Sequence, residues 1–233
     1  MIIALNNKSN LTYQNYQSYL KELNEIKSKS NLILCPSFIY LNLHNINNFQ
    51  LGAQNVSQFD EGAHTGEISA SQLKSLNTKY CIIGHSERRS EQKETSNEVN
   101  KKAIKLLENK IIPIVCIGET KEEKDNNKVK EVLNKQISEG IANINENDLE
   151  KIIIAYEPVW SIGTGLIPTN LEIEEVLTYI KKLVPTSKIL YGGSANEENI
   201  ETLKQSNKID GYLLGGLSLK PNNLQKFIDI LER

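Results

Sequence analysis

Short apolar segments alternate with longer amphipathic segments along the whole 233-residue sequence. The apolar segments predict eight strands, at residues 2–5, 32–35, 50–53, 80–84, 112–117, 152–155, 188–191 and 211–214. The segments between them carry apolar residues three or four positions apart, which is typical of helices packed on a core. Strands and helices that alternate in this way form a parallel sheet. Right-handed crossovers close such a sheet most naturally into a (β/α)8 barrel, and an open doubly wound sheet is the alternative.

Two helix starts are marked by capping-box spacing, Thr95 with Glu98 and Thr169 with Glu172. Residues 121–130, rich in Lys, Glu and Asn, predict a solvent-exposed helix start. The sequence shows no long linker and no repeat beyond the alternation of strands and helices. We therefore expect residues 1–233 to form one α/β domain, a size that such barrels commonly have.

Charge and hydropathy exclude several classes of partner. The 27 Lys and Arg residues nearly balance the 29 Asp and Glu residues, and no basic stripe indicates nucleic acid or an anionic membrane surface as a partner. No apolar run approaches the length of a membrane span. Residues 1–5 lack the charged region and cleavage site of a signal peptide, so we expect a soluble cytoplasmic protein.

The three cysteines, Cys35, Cys81 and Cys116, each lie in or beside a predicted strand. They share no spacing typical of a metal site, and an odd number cannot all be paired in disulfides. We expect reduced thiols that pack as small apolar side chains, with no bound metal.

The segment 155–169 indicates acid-base chemistry beside a mobile loop. Glu157 follows a buried strand, where partial desolvation is expected to raise its pKa toward the range useful to a general base. Pro158 ends the strand, and the glycine-rich residues 163–165 predict a flexible lid with exposed backbone N–H groups.

A histidine stands at the end of the fourth predicted strand, in the sequence Gly-His-Ser-Glu-Arg-Arg. Ser86 and Glu87 suit the first turn of a helix, whose partial positive charge is expected to lower the pKa of His85. A neutral imidazole can still donate a hydrogen bond to a carbonyl oxygen. The alternative is that His85 only forms hydrogen bonds within the barrel mouth.

Two glycine pairs, 192–193 and 215–216, follow the seventh and eighth predicted strands. Barrels place phosphate sites there, because backbone N–H groups without bulky side chains can converge on an anion. Isolated glycine pairs are also common in turns. A phosphate site is favoured here because both pairs follow the last two strands of the predicted barrel. Lys8 follows the first strand and places a cation at the same end of the barrel.

Two motifs, Glu-Pro-Val-Trp followed by Ile-Gly-Thr-Gly and Gly-His-Ser-Glu-Arg-Arg, resemble those of the triosephosphate isomerase family, and the resemblance runs nearly end to end. It implies a single TIM barrel that interconverts dihydroxyacetone phosphate and glyceraldehyde 3-phosphate through an enediolate, in glycolysis and gluconeogenesis. It makes Glu157 the base, His85 the electrophile, Glu87 its assisting carboxylate and Lys8 the cation that neutralises substrate charge.

The same resemblance implies further contacts. Substrate-binding residues would be Asn6, Lys8, Gly163, Ser194, Gly215 and Gly216. The family needs no cofactor or metal. It forms homodimers in which the segment corresponding to 55–69 reaches into the neighbouring subunit, with the position of Thr65 near the partner's active site.

The sequence departs from the family pattern at two places. Asn7 stands where an aromatic residue is usual, and Leu166, Ile167 and Pro168 replace the Lys and small residues of the second lid hinge. Two other functions stay open at this stage. A non-catalytic sugar-phosphate-binding protein would need neither Glu157 nor His85, and an aldolase or synthase would usually need a Schiff-base lysine or a metal cluster, which the sequence does not suggest.

Overall fold

Eight parallel strands form a closed barrel in the computed structural model, which describes residues 1–164 and 166–233. The strands are β1 (Ile2–Asn6), β2 (Asn31–Cys35), β3 (Gln50–Ala53), β4 (Tyr80–Ile83), β5 (Ile112–Ile117), β6 (Ile153–Tyr156), β7 (Lys188–Tyr191) and β8 (Gly211–Leu214). Each strand pairs with the next along the chain, and β8 pairs with β1. The predicted barrel is confirmed, and the open sheet is excluded.

The strands are apolar on both faces because two separate cores cover them. Ile2, Ala4 and Ile33 belong to a small cluster that fills the barrel interior. The alternating residues, such as Ile3 and Leu5, pack outward against the helices in a larger cluster. This double burial explains why the strands appear in the sequence as continuous apolar runs.

The cysteines follow the predicted pattern. Cys35 and Cys116 lie in the interior cluster, and Cys81 packs in the outer one. All three are buried free thiols. They therefore serve as small apolar side chains, as their strand positions predict.

Ten α-helices surround the barrel in the described parts of the chain: α1 (Tyr13–Asn24), α2 (Ala70–Ser75), α3 (Ser86–Glu91), α4 (Ser96–Glu108), α5 (Lys121–Asp125), α6 (Val129–Gly140), α7 (Glu146–Leu149), α8 (Asn170–Leu183), α9 (Ile200–Leu203) and α10 (Pro221–Leu231). Three 3₁₀ helices span Phe38–Leu43, Val159–Ser161 and Gly216–Leu219. The capping boxes predicted at Thr95 and Thr169 are confirmed. No helix in residues 1–164 and 166–233 is long and apolar enough to cross a membrane.

Candidate active site

Polar residues from several loops line one cavity of about 560 Å³ at the carboxyl ends of the strands. It brings together Asn6, Lys8, His85, Glu157, Gly163, Ser194, Gly215 and Gly216, all of which the sequence predicts as site residues. Glu87 lines a smaller adjoining cavity, which it shares with Asn6, Lys8 and His85. The barrel thus collects the predicted catalytic and phosphate-binding residues at one end.

Glu157 and His85 are in direct contact at this site. Oε1 of Glu157 lies 3.1 Å from Nε2 of His85, and its Oε2 accepts a hydrogen bond of 3.1 Å from the backbone N–H of Ser86. The N–H of Glu87 donates to Nδ1 of His85 over 3.2 Å. Since Nδ1 is an acceptor there, the imidazole carries its proton on Nε2, where it faces the carboxylate.

Two glycines leave room for Glu157. A Cβ on Gly118 would lie 1.7 Å from the carbonyl oxygen of Glu157, and a Cβ on Gly192 would lie 2.9 Å from its Cγ. The backbones after β5 and β7 can therefore approach Glu157 only because neither residue has a side chain. This close packing leaves the Glu157 side chain almost wholly buried, at 3% exposure.

The pKa of Glu157 differs from the predicted direction. Burial raises the pKa of this carboxyl, but contacts with His85 and the Ser86 N–H lower it more, so the net pKa lies below the ordinary value. The expectation of a raised pKa is therefore wrong for this arrangement. Its physical reason is the hydrogen-bond donors on both carboxylate oxygens, which a strand-end position alone does not reveal.

The pKa of His85 is also opposite to the prediction. Burial lowers this pKa, but the charge and hydrogen bond of Glu157 and the charge of Glu87 together raise it more, so the net pKa lies above that of an ordinary histidine. A helix does begin at Ser86, as predicted, and His85 caps its N-terminus. The contact with Glu157 outweighs the helix end because a full charge at hydrogen-bond distance exceeds the partial charge of a helix terminus.

Lys8 is held in place by contacts along its whole length. Its Nζ lies 2.5 Å from Oε1 of Glu87, and its backbone N–H donates to Oδ1 of Asn6 over 3.0 Å. Its carbonyl oxygen accepts hydrogen bonds of 2.9 Å from Ser37 Oγ and from Gln54 Nε2. The backbone of Lys8 has a φ of 52°, an unusual value for a residue with a side chain, and these contacts stabilise it.

Part of the cavity wall is backbone without bulky side chains. Gly216 is exposed and begins a 3₁₀ helix, and a Cβ on it would contact no atom within 4 Å among the described residues. A Cβ on Gly215 would lie 3.4 Å from Cε of Lys8. The lysine ammonium and this glycine backbone therefore face the same space, which suits an anion such as phosphate.

The family model described as Triosephosphate isomerase matches residues 1–232. The chain belongs to the triosephosphate isomerase family. It is 40% identical to the triosephosphate isomerase of Dictyoglomus turgidum over 246 residues, which cover 99% of this chain and 98% of the relative. It is 40% identical to that of Mesomycoplasma hyorhinis over 242 residues, or 98% of each chain. It is 39% identical to that of Clostridium tetani over 243 residues, which cover 98% and 95% respectively. The predicted family and isomerase class are confirmed.

The lid predicted for this triosephosphate isomerase family member begins after the 3₁₀ helix Val159–Ser161. Gly163 has a φ of 69°, which glycine adopts without strain, whereas Gly165 lies outside the described residues. Leu166 and Ile167 are exposed and Pro168 is buried. The departure from the family hinge therefore places two apolar side chains at the surface.

Sequence reasoning missed Ser161, which is fully buried and connects Leu166, beside the predicted lid, to Ser194. Its Oγ donates to the carbonyl oxygen of Leu166 over 2.7 Å and accepts from the N–H of Ser194 over 3.3 Å. Ser194 Oγ donates in turn to the Ser161 carbonyl oxygen over 2.5 Å. The only signal for it in the sequence is a small polar residue between two family motifs.

Residues 59–67, the middle of the segment predicted to form a dimer contact, are exposed. Thr65 lies on the surface, and the neighbouring His64 ring stacks on Phe59 with centroids 4.3 Å apart. The third histidine, His44, lies elsewhere, with its Nε2 2.9 Å from the carbonyl oxygen of Phe49. Neither His64 nor His44 contributes to the cavity around Glu157. Among residues 1–164 and 166–233, no group of His, Cys, Asp or Glu is arranged to hold a metal ion.

Proposed function

We propose that this chain interconverts dihydroxyacetone phosphate and D-glyceraldehyde 3-phosphate through an enediolate. The observation that supports this most is the contact of 3.1 Å between Glu157 and His85, in a cavity whose other wall is glycine backbone beside Lys8. A carboxylate, a donor imidazole and a cation beside an anion site are the groups that this reaction needs. The relatives named above carry the same activity in their names.

In the proposed reaction, Glu157 takes a proton from the carbon beside the substrate carbonyl. The electron pair of that C–H bond moves into the new carbon–carbon double bond, and the carbonyl oxygen becomes an enediolate oxyanion. The Nε2–H of His85 and the ammonium of Lys8 stabilise this charge, with Glu87 assisting. The proton of the adjacent hydroxyl group then passes to this oxyanion through Nε2 of His85, so that the negative charge moves to the other oxygen. As that oxygen becomes the new carbonyl, Glu157 returns its proton to the neighbouring carbon, and the reaction balances without a cofactor.

Substrate must separate Glu157 from His85 before it can react, because their present contact occupies both groups. A substrate carbonyl would replace the carboxylate at Nε2 of His85. Glu157 would then lose His85, the neighbour that lowers its pKa most, while its burial, which raises the pKa, would remain. His85 would lose the neighbour that raises its own pKa. Binding would thus move both groups toward the basic carboxylate and neutral imidazole that catalysis uses.

The phosphate is proposed to bind Gly163, Ser194, Gly215 and Gly216, with the Lys8 ammonium beside it. Asn6 and Lys8 are proposed to contact the rest of the substrate as well. Lid closure over it would exclude water, which protects an enediolate that can otherwise eliminate phosphate. In this proposal residues 1–233 form one catalytic domain that works in the cytoplasm, in glycolysis and gluconeogenesis.

We also propose a homodimer. The loop that carries Thr65 is exposed, and a cavity of about 210 Å³ beside Lys8 and Glu87 is open on the same subunit. An exposed loop and an open cavity on each subunit suit a two-fold arrangement in which each loop enters its partner's cavity. Thr65 would then lie near the partner's active site.

The test is incubation with dihydroxyacetone phosphate in D2O, following deuterium incorporation at C1 together with aldehyde formation. Glu157→Gln should keep the fold and lower turnover by about two to four orders of magnitude, the usual contribution of a positioned base. Glu150→Gln is the control, because Glu150 is exposed and precedes β6 at the opposite end of the barrel. Wild-type protein that binds the substrate without exchange, or a near-normal Glu157→Gln variant, would contradict the proposal.

A further inference from the structure

Asn7, the residue between the two site residues Asn6 and Lys8, has a buried side chain that makes long-range hydrogen bonds. Its Nδ2 donates to the hydroxyl of Tyr19 over 3.0 Å and to Oγ of Ser218 over 3.3 Å. The Tyr19 hydroxyl donates to the Ser218 carbonyl oxygen over 2.7 Å. These three residues form what we call the Asn7 network.

Every side-chain donor of the Asn7 network is used. Ser218 Oγ donates to the carbonyl oxygen of Asn6 over 3.2 Å. The two N–H groups of the Asn7 amide donate to Tyr19 and Ser218, and the Tyr19 hydroxyl donates to the Ser218 carbonyl oxygen. Burial raises the pKa of Tyr19, so its hydroxyl keeps the proton that it donates. Oδ1 of Asn7 is the one atom of the network without a hydrogen-bond partner in the described chain. The donors nevertheless fix the relative positions of the three residues, because each broken bond would leave a buried donor unpaired.

The network joins two loops that strand pairing leaves independent. The ladder between β1 and β8 ends with the pair Leu5 and Leu214. Beyond it, no backbone hydrogen bond joins residues 6–9 to residues 215–219 in the described chain. The side chains of Asn7, Tyr19 and Ser218 provide the link instead.

Both ends of the network stand next to groups proposed to hold phosphate. Asn7 directly precedes Lys8, whose Cε lies 3.4 Å from the position of a Cβ on Gly215. Ser218 lies in the 3₁₀ helix that begins at Gly216, and its N–H donates to the Gly215 carbonyl oxygen over 2.9 Å. A shift of either loop would change the distance between the ammonium and the glycine N–H groups.

We propose that Asn7, Tyr19 and Ser218 are positioning residues that set the Lys8 ammonium against the Gly215 and Gly216 backbone for phosphate binding. This inference rests on the proposed function. The amide at position 7 takes the place of an aromatic residue in the family pattern, and an aromatic hydrocarbon ring could not donate to both Tyr19 and Ser218. The link therefore depends on the amide at position 7 of this chain.

Tyr19→Phe tests the network, and Tyr16→Phe is its matched control. Both tyrosines are buried in α1, but the Tyr16 hydroxyl has no hydrogen-bond partner in the described chain. Isothermal titration with inorganic phosphate should show about tenfold weaker binding for Tyr19→Phe and unchanged binding for Tyr16→Phe. The KM for dihydroxyacetone phosphate should rise by a similar factor, with a smaller change in kcat, because the phosphate site is disturbed and Glu157 is not.

Asn7→Leu and the double variant Asn7→Leu/Tyr19→Phe complete the test. Phosphate affinity in the double variant should fall by less than the product of the two single effects, because both changes break the same network. Equal phosphate affinity in wild type, Tyr19→Phe and Asn7→Leu, together with normal wild-type isomerase activity, would overturn this inference and leave the proposed function standing. Wild-type protein that neither binds phosphate nor isomerises would overturn both.

Discussion

The indole Nε1 of Trp160 donates a hydrogen bond of 2.7 Å to Oε1 of the buried Glu119. The Tyr156 hydroxyl donates to the same oxygen over 3.2 Å. Lys124 lies over the face of the indole, 3.6 Å from its centroid, and also pairs with Glu172 over 2.9 Å. Because Glu172 belongs to the capping box of α8, these contacts join both ends of the proposed lid to α5 and the end of β5.

Trp160→Phe should lower the free energy of unfolding by about 1–3 kcal/mol. The change removes one of the two donors to Glu119 and leaves a buried carboxylate less satisfied. Lys124→Met removes only the partly exposed cation and should cost less than about 1 kcal/mol. Urea denaturation of the three proteins measures both values. Equal costs for the two variants would show that the hydrogen bond adds nothing beyond packing.

Glu157→Gln should lower the pKa of His85. Against the effect of burial, the Glu157 carboxylate raises this pKa most, and an amide cannot replace its charge, while the smaller contribution of Glu87 stays in the variant. NMR titration measures the shift. His44 serves as an internal control in the same spectra, because burial lowers its pKa and its ring contacts Phe49 rather than Glu157. An unchanged pKa of His85 would contradict the proposed coupling.

The contact between Glu157 and His85 should stabilise the fold most within a limited range of pH. The raised pKa of His85 stabilises the fold below the ordinary histidine value of about 6.5, and this effect is lost as pH rises through the folded pKa. The lowered pKa of Glu157 stabilises the fold above about 4.3 and is lost as pH falls through the folded pKa. The stability difference between wild type and Glu157→Gln should therefore be largest between about pH 4.3 and 6.5.

The barrel could be predicted because its strands are local sequence signals. Each of the eight apolar runs is buried on both faces, so each stands out from its surroundings without knowledge of its partners. The positions of Glu157 and His85 at strand ends then follow from the topology, because parallel strands of a barrel present their carboxyl ends together. Fold and approximate site thus depend on the same periodic pattern.

The pKa directions could not be predicted, because they depend on contacts between residues far apart in sequence. The first turn of α3 is visible beside His85 in the sequence, but the distance between Glu157 and His85 is not. Ser161 and Asn7 were missed as functional candidates for the same reason. Their partners, Ser194 and Ser218, come from the ends of other strands.

Thr65→Arg should weaken both self-association and activity. In the proposed dimer a bulky cation would enter the partner's cavity, and burying it without a designed partner is costly. Analytical ultracentrifugation and specific activity over a range of protein concentrations measure the two effects. Ser138→Arg adds the same charge to an exposed site on α6 and should change neither. A fully active monomer would refute the role of this loop.

Pro168→Ala should speed the exchange between lid conformations about twofold to fivefold. Pro168 has a fixed φ and restricts Ile167 before it, so fewer backbone states connect the lid conformations than alanine would allow. Relaxation-dispersion NMR measures the rate, and kcat should rise if product release limits turnover. Pro221→Ala is the control, because Pro221 is a buried proline at the start of α10. An unchanged rate of exchange in Pro168→Ala would mean that Pro168 only precedes Thr169, the N-cap of α8, and does not restrict the lid.

Ser161→Ala should strengthen the binding of inorganic phosphate. The N–H of Ser194 is proposed to bind phosphate, yet it donates to Ser161 Oγ over 3.3 Å. The same hydroxyl donates to the Leu166 carbonyl oxygen over 2.7 Å, so a phosphate that draws Ser194 away also disturbs the contact at the second lid hinge. Phosphate and the Ser161 hydroxyl therefore compete for the same donor, the backbone N–H of Ser194.

Removing this competitor should tighten phosphate binding about twofold to tenfold, the factor that corresponds to one neutral hydrogen bond of about 0.5–1.5 kcal/mol. Isothermal titration measures the affinity. Ser187→Ala is the matched control. Ser187 is also buried, and its hydroxyl also donates to a backbone carbonyl oxygen, that of Leu149. It lies just before β7, at the opposite end of the barrel from the cavity. If Ser161→Ala instead weakens phosphate binding, the Ser161 hydroxyl holds Ser194 in its binding position rather than competing for it.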